Sequence, residues 1–280
     1  YGKTTAIITN GWCLTEEYLT PFKGWLDWVT ISLDSAIPEV HAKLGRGFRN
    51  GEKPLTNEHY LRASEAISKA GMKLKISTVV TKLNKDEDMS EFIRDLNPCR
   101  WKIFQCLYIE GENDGRVDEF LITKDELQEF LKRHEKLTND GIKMYASTED
   151  TKNGYACITP AGCFLDDGEN IHKYSRPILE VGVDEAWKDI DYKPENFRAR
   201  GGMYDWKATQ GCSMGGVSSR DIEDIGIAPI TTEKKEKNQT RKVSTRDKQQ
   251  PAVPWWNASA IFIPAVLFVA LLVSIIIGRL

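Results

Sequence analysis

The chain has 280 residues, of which 41% are hydrophobic and 28% are charged, and its formal net charge is −3. This composition excludes a disordered chain, a collagen-like chain and a membrane protein with many spans. Residues 1–206 carry 28 Lys and Arg against 35 Asp and Glu. We call residues 1–206 the body of the chain. Its excess of acidic residues argues against direct nucleic-acid binding as the main function.

Predicted strands and helices alternate along this body. The predicted strands cover residues 5–9, 28–33, 74–80 and 100–105, and the third is rich in β-branched residues. Helical patterns cover residues 15–19, 57–69 and 86–96, and a further helix starts at Thr123, where Glu126 completes a capping box. Repeated strand–helix–strand units predict an α/β fold with a parallel sheet or a β/α barrel. Because the first strand begins almost at Tyr1, we expect the N-terminal part of the domain to be missing from this sequence.

The C-terminal part of the chain has a different composition. Residues 207–254 are polar and basic, and we predict a disordered linker there. Residues 258–278 are 21 uncharged residues, and two Trp residues precede them, so we predict a C-terminal transmembrane anchor over residues 255–280. The basic linker then places the body in the cytosol, with the endoplasmic reticulum as the expected membrane. A cleaved lipid-anchor signal and a nuclear-localisation role for the basic run are the alternatives.

Polar side chains follow or occupy the ends of the predicted strands, where parallel α/β folds bind ligands. Asn10 directly follows the first strand, Ser32 lies near the end of the second, and the next two strands carry Lys75 and Lys102. Two lysines in apolar strands suit a phosphate chain, but a solvated face or ion pairs with carboxylates would also explain them. Arg46 lies between two glycines and could hold a carboxylate, although such a triplet also occurs in ordinary turns.

The six cysteines show no CxxC pair and no zinc-finger spacing, and the four histidines show no metal spacing. We expect buried, reduced thiols, with a metal site or disulfides as the alternative. The sequence also lacks GxGxxG, Walker, GxSxG and HExxH motifs in the body. The residue patterns alone therefore indicate an enzyme-like α/β domain with a cationic rim and no assigned reaction.

Several segments resemble viperins, which are radical S-adenosylmethionine enzymes. The long run from Arg100 to Asn113, RWKIFQCLYIEGEN, is the most specific of them. Shorter matches occur in the same order over nearly all of residues 1–206, at residues 8–11, 31–35, 44–47, 85–89, 178–186 and 197–206.

This resemblance implies a partial (β/α) radical S-adenosylmethionine barrel, here lacking its first strands. It implies a [4Fe–4S] cluster and S-adenosylmethionine as cofactors, and a reductase or iron–sulfur assembly protein as a partner. The implied reaction dehydrates a ribonucleoside triphosphate, CTP or UTP, to the 3′-deoxy-3′,4′-didehydro nucleotide, an antiviral chain terminator. The S-adenosylmethionine positions carried over are Asn10, Ser32 and Arg46. The nucleotide positions carried over are Lys75, Ser77, Lys102 and Tyr155.

The sequence also departs from the viperin pattern. It contains no CxxxCxxC motif, so we expect the cluster cysteines upstream of Tyr1 and no metal ligands in this chain. Ser77 replaces an Asn and Met203 replaces a Lys of animal viperins, and both changes remove hydrogen-bonding capacity. The sequence therefore does not determine which base the substrate nucleotide carries. The alternative function is a non-catalytic, membrane-bound interaction protein, and a radical enzyme acting on another nucleotide-like substrate is the third option.

Overall fold

The structure is a computed structural model and describes residues 4–46 and 55–202. Its main sheet has five strands, all parallel, in the order in which they occur along the chain. They are β1 (Ala6–Thr9), β2 (Trp28–Ser32), β3 (Lys73–Val80), β4 (Arg100–Gln105) and β5 (Lys143–Ser147). Each connection therefore moves one strand further in the same direction, as in a barrel-type sheet and unlike a doubly wound one. The predicted α/β fold with a parallel sheet is confirmed.

Helices connect consecutive strands. They are α1 (Glu16–Leu19) after β1, α2 (Pro38–Lys43) and α3 (Asn57–Lys69) after β2, α4 (Ser90–Leu96) after β3, and α5 (Lys124–His134) after β4. A smaller antiparallel sheet follows β5, and short helices follow that sheet. These elements are β6 (Cys157–Ile158), β7 (Phe164–Asp166), β8 (Lys173–Tyr174), α6 (Ile178–Val181), α7 (Val183–Trp187) and α8 (Pro194–Ala199).

Most predicted elements agree with the structure to within a residue or two. The capping box of α5 is confirmed, because Thr123 Oγ1 accepts from the Glu126 amide at 3.1 Å and a Glu126 carboxylate oxygen accepts from the Thr123 amide at 2.8 Å. Helix α4 begins at Ser90 and not at residue 86, because residues 82–86 form turns; Asp88, just before the N-cap residue Met89, accepts a hydrogen bond from the Ser90 amide at 2.9 Å. Strand β5 was not predicted from the sequence, because it contains no β-branched residue.

The two faces of the main sheet differ in chemistry. Leu74, Ile76, Trp101 and Ile103 point to the helix-covered face and are at most 6% exposed. There the Trp101 ring meets the Phe130 ring of α5 edge to face, at 5.9 Å between centroids. Side chains alternate between faces along a strand, so the residues between these apolar positions point the other way. The hydrophobic core thus lies on one side of the sheet, and polar side chains are collected on the other.

Several predictions concern residues outside the described ranges. They are the linker at residues 207–254, the anchor at residues 255–280, and Met203. Within the ranges that the structure covers, no helix has both the length and the apolar character needed to cross a bilayer, and the longest, α3, has 13 residues.

Candidate functional site

Lys75 of β3 and Arg100 and Lys102 of β4 share the polar face of the sheet. In the β3–β4 register Lys75 lies beside Arg100, and Ser77 lies beside Lys102. Residues in register on parallel strands point to the same face, and so do residues two apart on one strand. Lys75, Arg100 and Lys102 therefore point into the same space, as the sequence predicted for the two lysines.

A fourth cation reaches this space from the C-terminal side. Arg200, just after α8, donates from Nε to Ser147 Oγ at 3.1 Å and from Nη1 to the Thr151 carbonyl at 3.3 Å. The main chain at Arg200 is itself held by the cations of β4. Lys102 Nζ donates to the Arg200 carbonyl, and Arg100 Nη2 donates to the Gly201 carbonyl at 2.7 Å. The segment that follows α8 thus closes over the cationic face.

Gly201 allows this segment to approach the sheet so closely. Its φ is +70°, in the left-handed region that favours glycine. A Cβ at this position would collide with the ring of Tyr145 on β5. Tyr145 in turn stacks under Arg100, whose guanidinium carbon is 4.0 Å from the ring centroid.

Burial and the shortage of nearby carboxylates set the charge state of this cluster. Lys102 is 3% exposed and Arg200 is 7% exposed. Among the described residues, no carboxylate forms an ion pair with Lys75, Lys102 or Arg200. Burial, then the neighbouring arginines, lowers the pKa of Lys75 to about 8. Burial, then Arg200 and Lys75, also lowers the pKa of Lys102 well below its ordinary value. Such a cluster is unfavourable unless an anion occupies it.

Tyr155 forms an aromatic wall of the cationic space. Its hydroxyl lies 3.5 Å from Lys102 Nζ, and its ring centroid lies 4.0 Å from the guanidinium carbon of Arg200. Phe197 of α8 supports the ring edge to face, with centroids 5.7 Å apart. Burial raises the pKa of the Tyr155 phenol, so the hydroxyl stays protonated and can donate to an anion.

The predicted S-adenosylmethionine residues lie at or after the ends of β1 and β2, beside β3 in the same sheet. Ser32 is the last residue of β2 and is in register with Ser77 of β3. Asn10 follows β1, and its Oδ1 accepts from the Trp12 amide at 3.1 Å. Arg46 is buried and forms an ion pair through Nε with the buried carboxylate of Asp34. One row across the sheet, Ser32–Ser77–Lys102, thus links the two sets of predicted residues.

The cysteines in the described ranges do not form a cluster site. Cys106 is a buried free thiol, Cys157 and Cys163 are partly buried free thiols, and Cys13 is an exposed one. Cys99 is disulfide-bonded, so the expected reduced state is wrong for that residue. The part of the chain that the structure covers contains no group of three Cys, His, Asp or Glu residues placed to hold a metal ion.

Comparison with known proteins identifies the family. No family model matches the chain. The chain is 40% identical over 209 residues to an S-adenosylmethionine-dependent nucleotide dehydratase of Lacinutrix mariniflava, 38% identical over 206 residues to one of Flammeovirga pacifica, and 34% identical over 208 residues to one of Danio rerio. These matches cover 75%, 74% and 72% of this chain. This chain belongs to the S-adenosylmethionine-dependent nucleotide dehydratase family. It spans 43%, 69% and 56% of the lengths of these three relatives.

The nucleotide dehydratase assignment confirms the resemblance drawn from the sequence. Sequence reasoning nominated Lys75 and Lys102 in the cationic space but not Arg100, Arg200, Tyr145 or Ser147. Arg100 could have been found, because Arg-x-Lys on one strand places both cations on one face. Arg200 could not, since it is joined to β4 only by contacts across about a hundred residues of chain.

Proposed function

We propose that the chain binds a ribonucleoside triphosphate and S-adenosylmethionine side by side, for radical dehydration of the nucleotide to its 3′-deoxy-3′,4′-didehydro form. The observation that carries this proposal is the cluster formed by Lys75, Lys102 and Arg200, which form no ion pair with a carboxylate among the described residues. A triphosphate brings about four negative charges, which matches Lys75, Arg100, Lys102 and Arg200. The names of the relatives support the same reaction class.

The phosphate chain lies over β3 and β4 in this proposal. Consecutive residues on one face are about 6.6 Å apart along a strand, so Lys75 and Lys102 can contact different phosphates of one chain. The Tyr155 hydroxyl, beside Lys102, donates to the same anion. Arg100 and Arg200 offer planar donor groups that suit phosphate oxygens.

S-adenosylmethionine lies over β1 and β2 in this proposal. Asn10, Ser32 and Arg46 supply amide, hydroxyl and guanidinium groups, which fit its polar adenosyl and methionine ends. When bound, S-adenosylmethionine supplies the radical chemistry of the reaction. The residues of this chain orient the ribose next to it, because Ser32 and Ser77 are direct neighbours across two strands.

A [4Fe–4S] cluster is not held by the residues that the structure covers. The described free cysteines sit on separate elements, and no three candidate ligands come together. The resemblance to viperins implies three cysteine thiolates as cluster ligands, with one iron left open for S-adenosylmethionine. We therefore propose no cluster ligand among the described residues.

The non-catalytic alternative, a membrane-bound interaction protein, is supported less well. An interaction protein has no need of buried cations that lower one another's pKa, and such groups reduce the stability of the ligand-free fold. The identity of the base depends on contacts around Ser77, and CTP and UTP are both retained as substrates.

The decisive experiment compares two ligands on one substitution. Lys102→Ala should weaken UTP and CTP binding roughly ten- to hundredfold in a titration, because a charge-assisted contact is lost, and should leave S-adenosylhomocysteine binding nearly unchanged. Lys136→Ala, at an exposed position, is the matched control. Equal losses for both ligands would show that Lys102 does not belong to a nucleotide site.

Membrane attachment forms a second part of the proposal. The uncharged segment at residues 258–278 is long enough to span a bilayer, and the basic residues before it favour a cytosolic body at the endoplasmic reticulum. A reductase or iron–sulfur assembly protein is the proposed protein partner, since the radical chemistry requires an external electron.

A further inference from the structure

The proposed function uses Arg46 but gives no role to Asp34, its partner in a buried ion pair. Both residues lie past the carboxyl end of β2, and their exposed fractions are 1% and 6%. Arg46 donates to Asp34 through Nε only. No other described group accepts a hydrogen bond from the Arg46 side chain, so its terminal Nη1 and Nη2 groups are unpaired within the ranges that the structure covers.

The Asp34 carboxylate is fixed by the neighbouring strand. Its Oδ1 accepts from the Val79 amide at 2.8 Å, while Oδ2 accepts from Arg46. Its main-chain carbonyl accepts from Asn84 Nδ2 at 2.5 Å. Asp34 therefore keeps its place without a ligand, and it holds Arg46 at one edge of the guanidinium group.

His41 does not compete for this carboxylate. Its ring is fully buried, stacks on Tyr60 at 5.4 Å, and accepts at Nε2 from the Ser35 amide at 3.3 Å. Burial lowers the pKa of His41 to about 4, so the ring is neutral at physiological pH. Arg46 is then the one cation paired with Asp34 among the described residues.

We propose that Asp34 is a positioning residue for S-adenosylmethionine: it holds Arg46 through Nε and presents Nη1 and Nη2 to the methionine carboxylate. A guanidinium group can bind a carboxylate with its two terminal nitrogens while Nε is bonded elsewhere. This inference rests on the proposed function, since it assumes that Arg46 faces the methionine end of the cofactor.

Two ligands that differ only at the methionine end test it. S-adenosylhomocysteine carries the amino-acid group, and 5′-methylthioadenosine has the same adenosyl thioether without it. Asp34→Asn leaves a single side-chain oxygen for two donors, the Val79 amide and Arg46 Nε, so it releases Arg46. We expect it to weaken S-adenosylhomocysteine binding to the full chain about tenfold and to leave methylthioadenosine and UTP binding unchanged. Asp95→Asn, at an exposed position of α4, is the matched control.

A double-mutant cycle separates positioning from general damage to the fold. Arg46→Lys keeps the charge but loses the planar pair of donors, and should itself weaken S-adenosylhomocysteine about tenfold or more. If Asp34 acts through Arg46, adding Asp34→Asn to Arg46→Lys costs little more affinity. Where Asp34→Asn does not fold, Asp34→Glu retains the ion pair, displaces the guanidinium, and should give the same selective loss.

The possible failures are distinguishable. Equal weakening of both adenosyl ligands by Asp34→Asn, or full additivity with Arg46→Lys, would overturn the positioning role of Asp34. If Arg46→Lys leaves S-adenosylhomocysteine binding intact, or the unaltered chain does not bind it, the proposed S-adenosylmethionine site itself is wrong.

Discussion

The protonation of Lys75 predicts how nucleotide binding depends on pH. In the ligand-free site burial is the largest influence and the neighbouring Arg100 and Arg200 add to it, which together lower the pKa of Lys75 to about 8. A bound triphosphate has the opposite effect, because its negative oxygens favour the ammonium form. The pKa of Lys75 should therefore rise when UTP or CTP binds, and a proton is taken up in the same step.

The sign and size follow from linkage. When binding raises the pKa of a group, affinity is highest at pH values below the pKa that the group has in the ligand-free protein. Affinity falls as the pH rises through that pKa, because the group must then take up a proton to bind the ligand. With a free value of about 8 and Lys75 fully protonated in the complex, raising the pH from 7.5 to 9 weakens the Lys75 contribution to binding about eightfold, or about 1 kcal/mol. The phosphates, with a second pKa of about 6, are fully ionised over this range and do not obscure the effect.

Titration calorimetry at three pH values, in buffers of different ionisation enthalpy, measures both the affinity and the proton uptake. Lys75→Met should bind the nucleotide more weakly at pH 7.5 and show a shallower decline towards pH 9. Lys136→Ala should keep the full pH dependence. A constant affinity of the unaltered chain from pH 7.5 to 9 without proton uptake, or an equally steep decline in Lys75→Met, would refute the reasoning.

Three further predictions concern stability and location. Lys102→Met should raise the melting temperature of the ligand-free protein by about 2–4 °C, because it removes a buried cation repelled by its neighbours, and an unchanged or lower value in calorimetry would contradict this. The pKa of His41 is about 4 in the folded protein, below its value in the unfolded chain. Its contribution to the free energy of unfolding is therefore complete above about pH 6.5 and declines as the pH falls towards 4. Between pH 7.5 and 4.5, urea titrations should show that the free energy of unfolding falls about 2–3 kcal/mol more in the unaltered chain than in His41→Phe. Equal decreases in the two proteins would show that His41 is not the cause. Deleting residues 255–280 should move the protein from the membrane fraction to the supernatant without changing its fold, whereas pelleting after a high-salt wash would place the anchor elsewhere.

The sequence was most informative where a local pattern determines the structure. Strand β4 was predicted with correct ends, and the Thr123 capping box needs only four residues of sequence. The shared face of Lys75 and Lys102 also follows from alternation along strands, once the strands are known to be parallel neighbours. These features depend on backbone periodicity and not on distant contacts.

The features that sequence patterns missed depend on distant contacts. Arg200 reaches the site because Gly201 lets its segment approach Tyr145, and no local pattern at residue 200 indicates that approach. The Asp34–Arg46 pair was missed for a related reason. A carboxylate after a strand and an arginine in a glycine turn were each visible, but only the fold shows that they meet.

The register of β2, β3 and β4 determines how the two proposed ligands can be coupled. Neighbouring strands are about 4.8 Å apart, so Ser32 and Lys102, two strands apart in one row, are held about 10 Å apart. A ribose and its first phosphate can bridge that span between the adenosyl group and the cations. A one-residue slip of β3 would turn Ser77 to the helices and put Ile76 in its place. What opposes the slip is the apolar packing of Ile76 and Trp101 on the other face, away from both proposed ligands. In the proposed function, the placement of the nucleotide against the adenosyl group therefore depends on the hydrophobic core, and core substitutions that loosen β3 should uncouple the two ligands before they unfold the chain.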